Sequence, residues 1–281
     1  MLRKSILLLV IVLFGSQCAD AQTDSVKYGW QHNLAATLNL SQVSFTNWAQ
    51  GGDNALSYVF LVAGKSAQDL ENTNWTITYN FAFGQARLGN LGLRKTDDKI
   101  DIGSVLTYKV GTYVNPYASV TFLSQFSTGY KYGDTSKTAV SDFLDPAYIT
   151  QSVGVGYQPT TTLKTRLGVG LRETFTKNYN VYSDDPSTPE IEKTKIEGGL
   201  ESITELSQPI DSTVLLSSKL QLFAPFKTLD QIIVHWDNAL TAKVSKYIST
   251  SLIVSLINDR IVTPRTQIKE GLAIGISYVL F

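Results

Sequence analysis

The chain has 281 residues, 24 basic and 24 acidic, and only 17% of it is charged, against about 25% in typical soluble proteins. Zero net charge, with no basic run longer than two residues, excludes an electrostatically driven nucleic-acid binder. Ser, Thr, Asn, Gln, Gly and Tyr replace the missing charge, which suits a wall that meets lipid on one face and water on the other.

The N-terminus predicts export. Arg3 and Lys4 form a positive start, Ser5 to Phe14 a short apolar core, and Ala19-Asp20-Ala21 a small-residue cleavage site. This reads as a secretory signal peptide over 1–21, cleaved after Ala21, with residues 22–281 as the mature domain. A lipoprotein signal acylated on Cys18 competes, but Gln17 stands where such signals want a small residue. Cleavage removes the only Cys and the only Met, so the mature chain has neither a disulfide nor a thiolate metal site. No run of about 18 apolar residues makes a transmembrane helix. An exported chain can still span a membrane as a closed barrel.

Period-two alternation then recurs along the chain. Strands are predicted at 28–41, 55–65, 75–85, 99–110, 116–126, 147–157, 162–173, 195–206, 212–224, 231–244, 247–258 and 268–281. The third is among the clearest: Trp75, Ile77, Tyr79, Phe81 and Phe83 alternate with Thr76, Thr78, Asn80, Ala82 and Gly84. In the last, Leu272, Ile274, Ile276, Tyr278 and Leu280 oppose Gly271, Ala273, Gly275 and Ser277, and the terminal Phe281 falls on the small-residue face.

Twelve is the even count that an antiparallel up-and-down transmembrane β-barrel requires. Connections after the first, third, fifth, seventh and eleventh strands are long, and most others are short. Long loops belong outside the cell and short turns in the periplasm, which places both ends of the chain in the periplasm. A soluble barrel would carry more Lys and Glu on its polar face. The location expected is the cell outer membrane. The expected partners are outer-membrane lipid and the barrel-assembly machinery, with no nucleic acid. The solute and the oligomeric state stay open.

Two constellations stand out. Lys164, Arg166 and Arg172 share the lumen face of one strand, and Glu197, Glu201 and Glu205 that of the next; His235 and Asp237 face the lumen further on. The rows either tune ion selectivity or form a ladder of ion pairs that fills a narrow lumen. Equal numbers of each sign point to the ladder. At the external rim, Trp48, Gly51, Gly52, Asp53 and Asn54 come together with Arg94, Lys95, Asp97, Asp98, Phe143 and Pro146. They make either a ligand site over the barrel mouth or loops packed on one another, with Trp48 and Phe143 as the apolar seam.

Catalytic chemistry has little support. The chain has two histidines, and no histidine–serine motif of barrel phospholipases is present. No cofactor is called for. Asp97-Asp98 and Asp184-Asp185 lack the Asp-x-Asp-x-Asp-Gly spacing of a calcium loop, so no metal site is assigned.

Several stretches, in order, carry a resemblance: Trp48 with Gly51-Gly52-Asp53-Asn54; Asn74-Trp75 with Tyr79 to Gly84; Arg94 to Lys99; Gln125-Phe126 with Gly129-Tyr130; and Phe143 to Tyr148 with Gly154 and Gly156-Tyr157. Over about residues 30 to 160 the chain resembles a domain-of-unknown-function family of outer-membrane barrels from Bacteroidota. The resemblance implies the fold and the location, and no activity. The role expected is non-enzymatic: a narrow channel or transporter for small solutes, or a structural or binding barrel. The alternative is a phospholipase-like, lipid-modifying barrel. A continuous water path would favour a channel; a closed network of Lys, Arg and Glu would disfavour it.

Overall fold

The computed structural model describes residues 28–45, 53–133, 136–260 and 263–279. The signal segment with Cys18, the loop residues Trp48, Gly51 and Gly52, and Phe281 lie outside the described residues. Fourteen strands follow one another: β1 (Gly29–Val43), β2 (Ala55–Asp69), β3 (Thr73–Leu88), β4 (Arg94–Tyr108), β5 (Val114–Ser124), β6 (Gly129–Tyr132), β7 (Lys137–Ser141), β8 (Ala147–Tyr157), β9 (Leu163–Phe175), β10 (Thr194–Pro209), β11 (Val214–Pro225), β12 (Ile233–Lys243), β13 (Ile248–Asn258) and β14 (Gln267–Val279). Twelve close into one barrel in the order β1-β14-β13-β12-β11-β10-β9-β8-β5-β4-β3-β2, while β6 and β7 form a separate hairpin. Every barrel neighbour is antiparallel, as meander connections require.

The barrel is inside out relative to a soluble protein. Leu38, Phe60, Ile102, Val153, Val169, Leu200, Leu240 and Leu252 are exposed on its outer face, and Leu272 is 80% exposed. Among the described residues the buried hydrophobics are only Ile100, Tyr117, Ala147, Ile203, Phe223 and Ile233. At about 25 cal/mol per Å², so wide an apolar surface is stable only when hydrocarbon covers it. The indoles on this face satisfy their polar atoms locally. Trp75 Nε1 donates to Ser104 Oγ at 2.9 Å and Trp236 Nε1 to Ser218 Oγ at 3.0 Å.

The wall closes by β1 pairing with β14, with Ala35 opposite Val279 and Asn39 opposite Gly275. Among the described residues that ladder aligns five residue pairs, whereas β1 and β2 align fifteen. The small face of β14 points inward, and a side chain at Gly275 would meet the Asn39 amide and the Thr37 methyl. Thr37 and Ser277 share a hydrogen bond of 2.9 Å across the same seam.

Two departures from the sequence reading appear at the long-loop rim. Residues 94–98, expected in a loop, open β4 and pair with the end of β3. A bulge at Gly84/Gln85 absorbs Thr96 as an extra residue, which keeps the charged stretch in the ladder and shifts its alternation by one, so that Lys95 and Asp98 pair on one face. About 9–11 residues cross a bilayer, so strands of fifteen and sixteen residues such as β2, β3 and β4 stand clear of it. The second departure is the β6–β7 hairpin, which lies within the stretch 127–146 expected to be a plain loop. The connection 226–232 is also longer than the opposite-rim turns at 70–72 and 210–213, so it fits the alternation that its sequence seemed to break.

Gly154 and Gly168 face each other across the β8–β9 ladder. A Cβ on either would run into the backbone of the other strand, and one at Gly168 would also meet the Tyr117 hydroxyl. Gly271 on β14 has nothing within 4 Å of that position. Gly168→Ala is expected to destabilise the barrel by about 1–3 kcal/mol and Gly271→Ala to leave it unchanged, as measured by urea unfolding in detergent.

Candidate functional site

The lumen holds the densest chemistry. Alternation puts Lys99 and Asp101 of β4, Lys219 of β11 and Asp237 of β12 on the inner wall. In a ring of twelve, β4 and β12 stand six strands apart, on opposite walls. Lys99 Nζ nevertheless lies 3.4 Å from Asp237 Oδ2 and 3.4 Å from Asp101 Oδ2. Lys219 Nζ lies 3.8 Å from Asp101 Oδ2. These four side chains bridge the barrel from wall to wall. Nearer the long-loop rim, Lys269 of β14 reaches over to β4, pairing with Asp97 and donating to the Thr96 carbonyl at 3.3 Å. Arg172 of β9 comes within 4.0 Å of Asp259, just after β13, and lies 4.8 Å from the Tyr148 ring centre.

The lumen residues singled out from sequence are distributed differently from a ladder between neighbouring strands. The register sets Lys164 opposite Glu205 and Arg172 opposite Glu197. Arg172 turns instead to Asp259, and Glu197 pairs with Lys195 at 2.8 Å. Glu201 is buried and accepts a short hydrogen bond from Ser152, two strands away. That reach is open because the intervening β9 offers Gly168 and Gly170 at this level. Arg166 lies 5.3 Å from the Tyr117 ring centre. His235 sits between Gln221 and Ile257 in the register, two residues from Asp237. Neutralisation therefore runs across the lumen more than along its wall, and Lys99, Asp101, Lys219 and Lys269 are the partners that sequence reading passed over. Each lies at a lumen-facing alternate position; what sequence does not carry is which opposite wall it meets.

The long-loop rim is knit by carboxylates. Asp98 is nearly inaccessible and accepts from Phe126 N at 2.6 Å, Ser127 N at 2.9 Å and Ser127 Oγ at 2.9 Å, while Lys95 Nζ pairs with it at 2.8 Å. Lys95 Nζ also donates to the Ser127 carbonyl at 2.8 Å. The Arg94 guanidinium lies 4.2 Å from the Tyr132 ring centre. Lys95, Asp97, Asp98, Gln125, Tyr130 and Tyr132 line a cleft of about 330 Å³ beneath the β6–β7 hairpin. Asp53 packs beside Gly89, and Asn54 accepts from Phe45 N at 2.7 Å and, through its carbonyl, from Gly89 N at 2.7 Å. The Pro146 carbonyl accepts from Ser124 Oγ at 2.9 Å. Phe143 is 59% exposed, so it is not the buried half of an apolar seam. The buried Asp145, which sequence reading did not single out, takes the backbone N–H of Asn178 at 2.7 Å and of Tyr179 at 3.3 Å, and so ties the two longest loops together.

With that geometry in place, kinship is limited to one stretch. Residues 40–130 match the family described as "Protein of unknown function (DUF3078)". The matched span includes the Asp53-Asn54, Asn74-Trp75, Arg94 to Lys99 and Gly129-Tyr130 segments and ends before Phe143. Among functionally curated proteins, none matches. Three solved structures are similar in barrel shape. The translocator domain of the autotransporter NalP from Neisseria meningitidis is 14% identical, with 91% of this chain and 90% of that one covered and a TM-score of 0.38. An outer-membrane channel from Pseudomonas putida F1 is 10% identical, with 91% and 96% covered and a TM-score of 0.42. Pseudomonas putida OprB is 9% identical, with 89% and 94% covered and a TM-score of 0.36.

Two tests bear on the rim. Asp98→Asn removes the ion pair to Lys95 and weakens three hydrogen bonds, each about 1.5–3 kcal/mol where a charge is involved; trypsin is expected to cut at Lys131 and Lys137 faster than in the parent protein. In the connection 176–193, hydrogen bonds from the Ser187 hydroxyl and backbone N–H hold the Asp185 carboxyl below its ordinary pKa, and Thr188 and the Asp185 N–H do the same for Glu192. A depressed folded pKa stabilises above the ordinary carboxylate value and is lost as pH falls through the lowered one. Protection of the amides over 185–192, taken relative to the unfolded exchange rate at each pH, is therefore expected to hold at neutral pH and to fall only below the usual carboxylate range of about 4.

Proposed function

We propose that this chain is an outer-membrane barrel that serves as a narrow, gated passage for small solutes and rests in a closed state. One observation carries the reading: Lys99, Asp101, Lys219 and Asp237 span the lumen between opposite walls. A wide porin would leave that space to water. Here a solute would have to part ion pairs that are partly hydrated, with the Lys99 and Asp237 side chains 39% and 43% accessible. Pairs of that kind are worth about 0.2–1 kcal/mol each, a barrier low enough to open and high enough to keep the resting conductance small.

The export signal ending at Ala21, the apolar girdle and the closed sheet support insertion into outer-membrane lipid by the barrel-assembly machinery. The longest connections lie on one rim, where only 89–93 is as short as 109–113 and 158–162 on the other, and this asymmetry supports the long-loop rim as the external one. The enzymatic alternative rests on one histidine–serine contact among the described residues, at His32 on the outer face. Among the described residues His235 makes no hydrogen bond to a serine, and His32 is held at the outer face by Ser66 at 2.8 Å and stacked on Trp30.

Planar-bilayer recording tests the gate. The parent barrel is expected to pass little current. The triple variant Lys99→Gln/Asp101→Asn/Asp237→Asn is expected to raise conductance several-fold while keeping its heat-modifiable mobility. Equal silence in both would make the barrel a structural one and overturn the passage. A large, steady conductance in the parent would overturn the gate.

A further inference from the structure

Among the described residues the short-turn half of the lumen holds one ion pair, Lys109 with Asp69 at 2.8 Å, and basic side chains without one. Lys164 is the second residue of β9, and Lys65 stands near the end of β2 at the same rim. β2 and β9 are five strands apart in the ring, on facing walls, and Arg166 stands two residues along β9 from Lys164. Alternation turns all three inward: Lys65 is paired with Asn33 and Thr78, and Arg166 with Gly156, all on the lumen face. Glu205 is opposite Lys164 in the register, and Glu201 is engaged by Ser152. Among the described residues, Lys65, Lys164 and Arg166 form no ion pair within 4.0 Å, whereas Lys99, Lys219, Lys269 and Arg172 all do.

The second observation is at Arg166. Its Nη1 is buried and has no hydrogen-bond partner. A guanidinium N–H shut away from both solvent and acceptor costs about 1–3 kcal/mol or more, so a donor in this state calls for an acceptor from outside the chain. Small residues let the side chains around it pack closely. Gly156 leaves room for the Arg166 stem at 3.8 Å, and Gly168 leaves room for the Tyr117 hydroxyl. The Tyr117 ring centre lies 5.3 Å from the guanidinium.

We propose that Lys65, Lys164 and Arg166 form a binding site for a small multivalent oxyanion, a phosphate or a dicarboxylate, in the short-turn vestibule of the lumen. A planar guanidinium offers parallel N–H bonds to two oxygens of such a group, and the two ammonium groups face it from opposite walls. The site names a solute class for the passage proposed above and in that respect rests on it; binding itself is read without any current.

The test uses the full mature barrel refolded in a zwitterionic detergent. Titration calorimetry with inorganic phosphate and, separately, with succinate at low salt is expected to give saturable binding by at least one, and the stronger of the two identifies the anion. Arg166→Gln is expected to weaken it by roughly tenfold, the size of one charged hydrogen bond; Lys65→Gln and Lys164→Gln, whose exposed side chains leave folding intact, are expected to weaken it less. Lys131→Gln on the β6 hairpin is expected to leave it unchanged. Absence of saturable binding by both anions, or equal binding by Lys65→Gln, Lys164→Gln and the parent, would overturn the site. If the anion binds but no variant conducts, the vestibule stands and the passage falls.

Discussion

A backbone in hydrocarbon must satisfy every N–H and C=O internally, and here that condition comes down to the ladder between β1 and β14. Among the described residues, the other neighbouring barrel strands meet over eight to fifteen residue pairs and the closing pair over five. The sequence at the seam is built for close contact. Gly275 lies under the Asn39 amide, and Thr37 and Ser277 bond to each other on the inner face, while Leu38 and Ile276 stand outside toward lipid. Lose that ladder and eleven interfaces remain, yet two edges open into the bilayer.

Once the sheet is closed, the inner face becomes a confined space rather than a surface. Side chains from opposite walls meet, and charge on one wall sets what the other must supply. Lys99 and Asp237 belong to strands separated by half the ring. The same confinement explains the glycines of β8 and β9: Gly154, Gly168 and Gly170 clear a channel for Tyr117, Ser152 and Glu201 to approach one another. Toward the short-turn rim Lys109 and Asp69 pair at 2.8 Å, but Lys65, Lys164 and Arg166 form no ion pair within 4.0 Å among the described residues, unlike Lys99, Lys219, Lys269 and Arg172.

Most of the wall was legible from alternation alone, because a period of two is a local property and the lipid face of Leu272, Ile274 and Ile276 could be read residue by residue. The ends were less so. Arg94 to Asp98 looks like a loop because it is charged, and it is held in strand by water beyond the bilayer and by the bonds of Asp98 to Phe126 and Ser127. The β6–β7 hairpin has four and five residues, too short for a period to register. The inward direction of Lys164, Arg166 and Glu201 could be read, but their partners could not. Two residues face each other across a barrel only through the number of strands and the stagger between them, and neither is written at the residues concerned. Asp145, which clamps two loops, left no sequence signal beyond its place before a proline.

The central claim is that the lumen is spanned by side chains, and a double-mutant cycle on Lys99 and Asp237 tests it most directly. Lys99→Gln, Asp237→Asn and the double variant would be unfolded in urea from detergent and their stabilities compared. Contact across the barrel predicts a favourable coupling of about 0.5–1 kcal/mol, the range for partly exposed pairs. Additivity within about 0.3 kcal/mol would mean that the two walls do not touch, and would contradict the closed lumen.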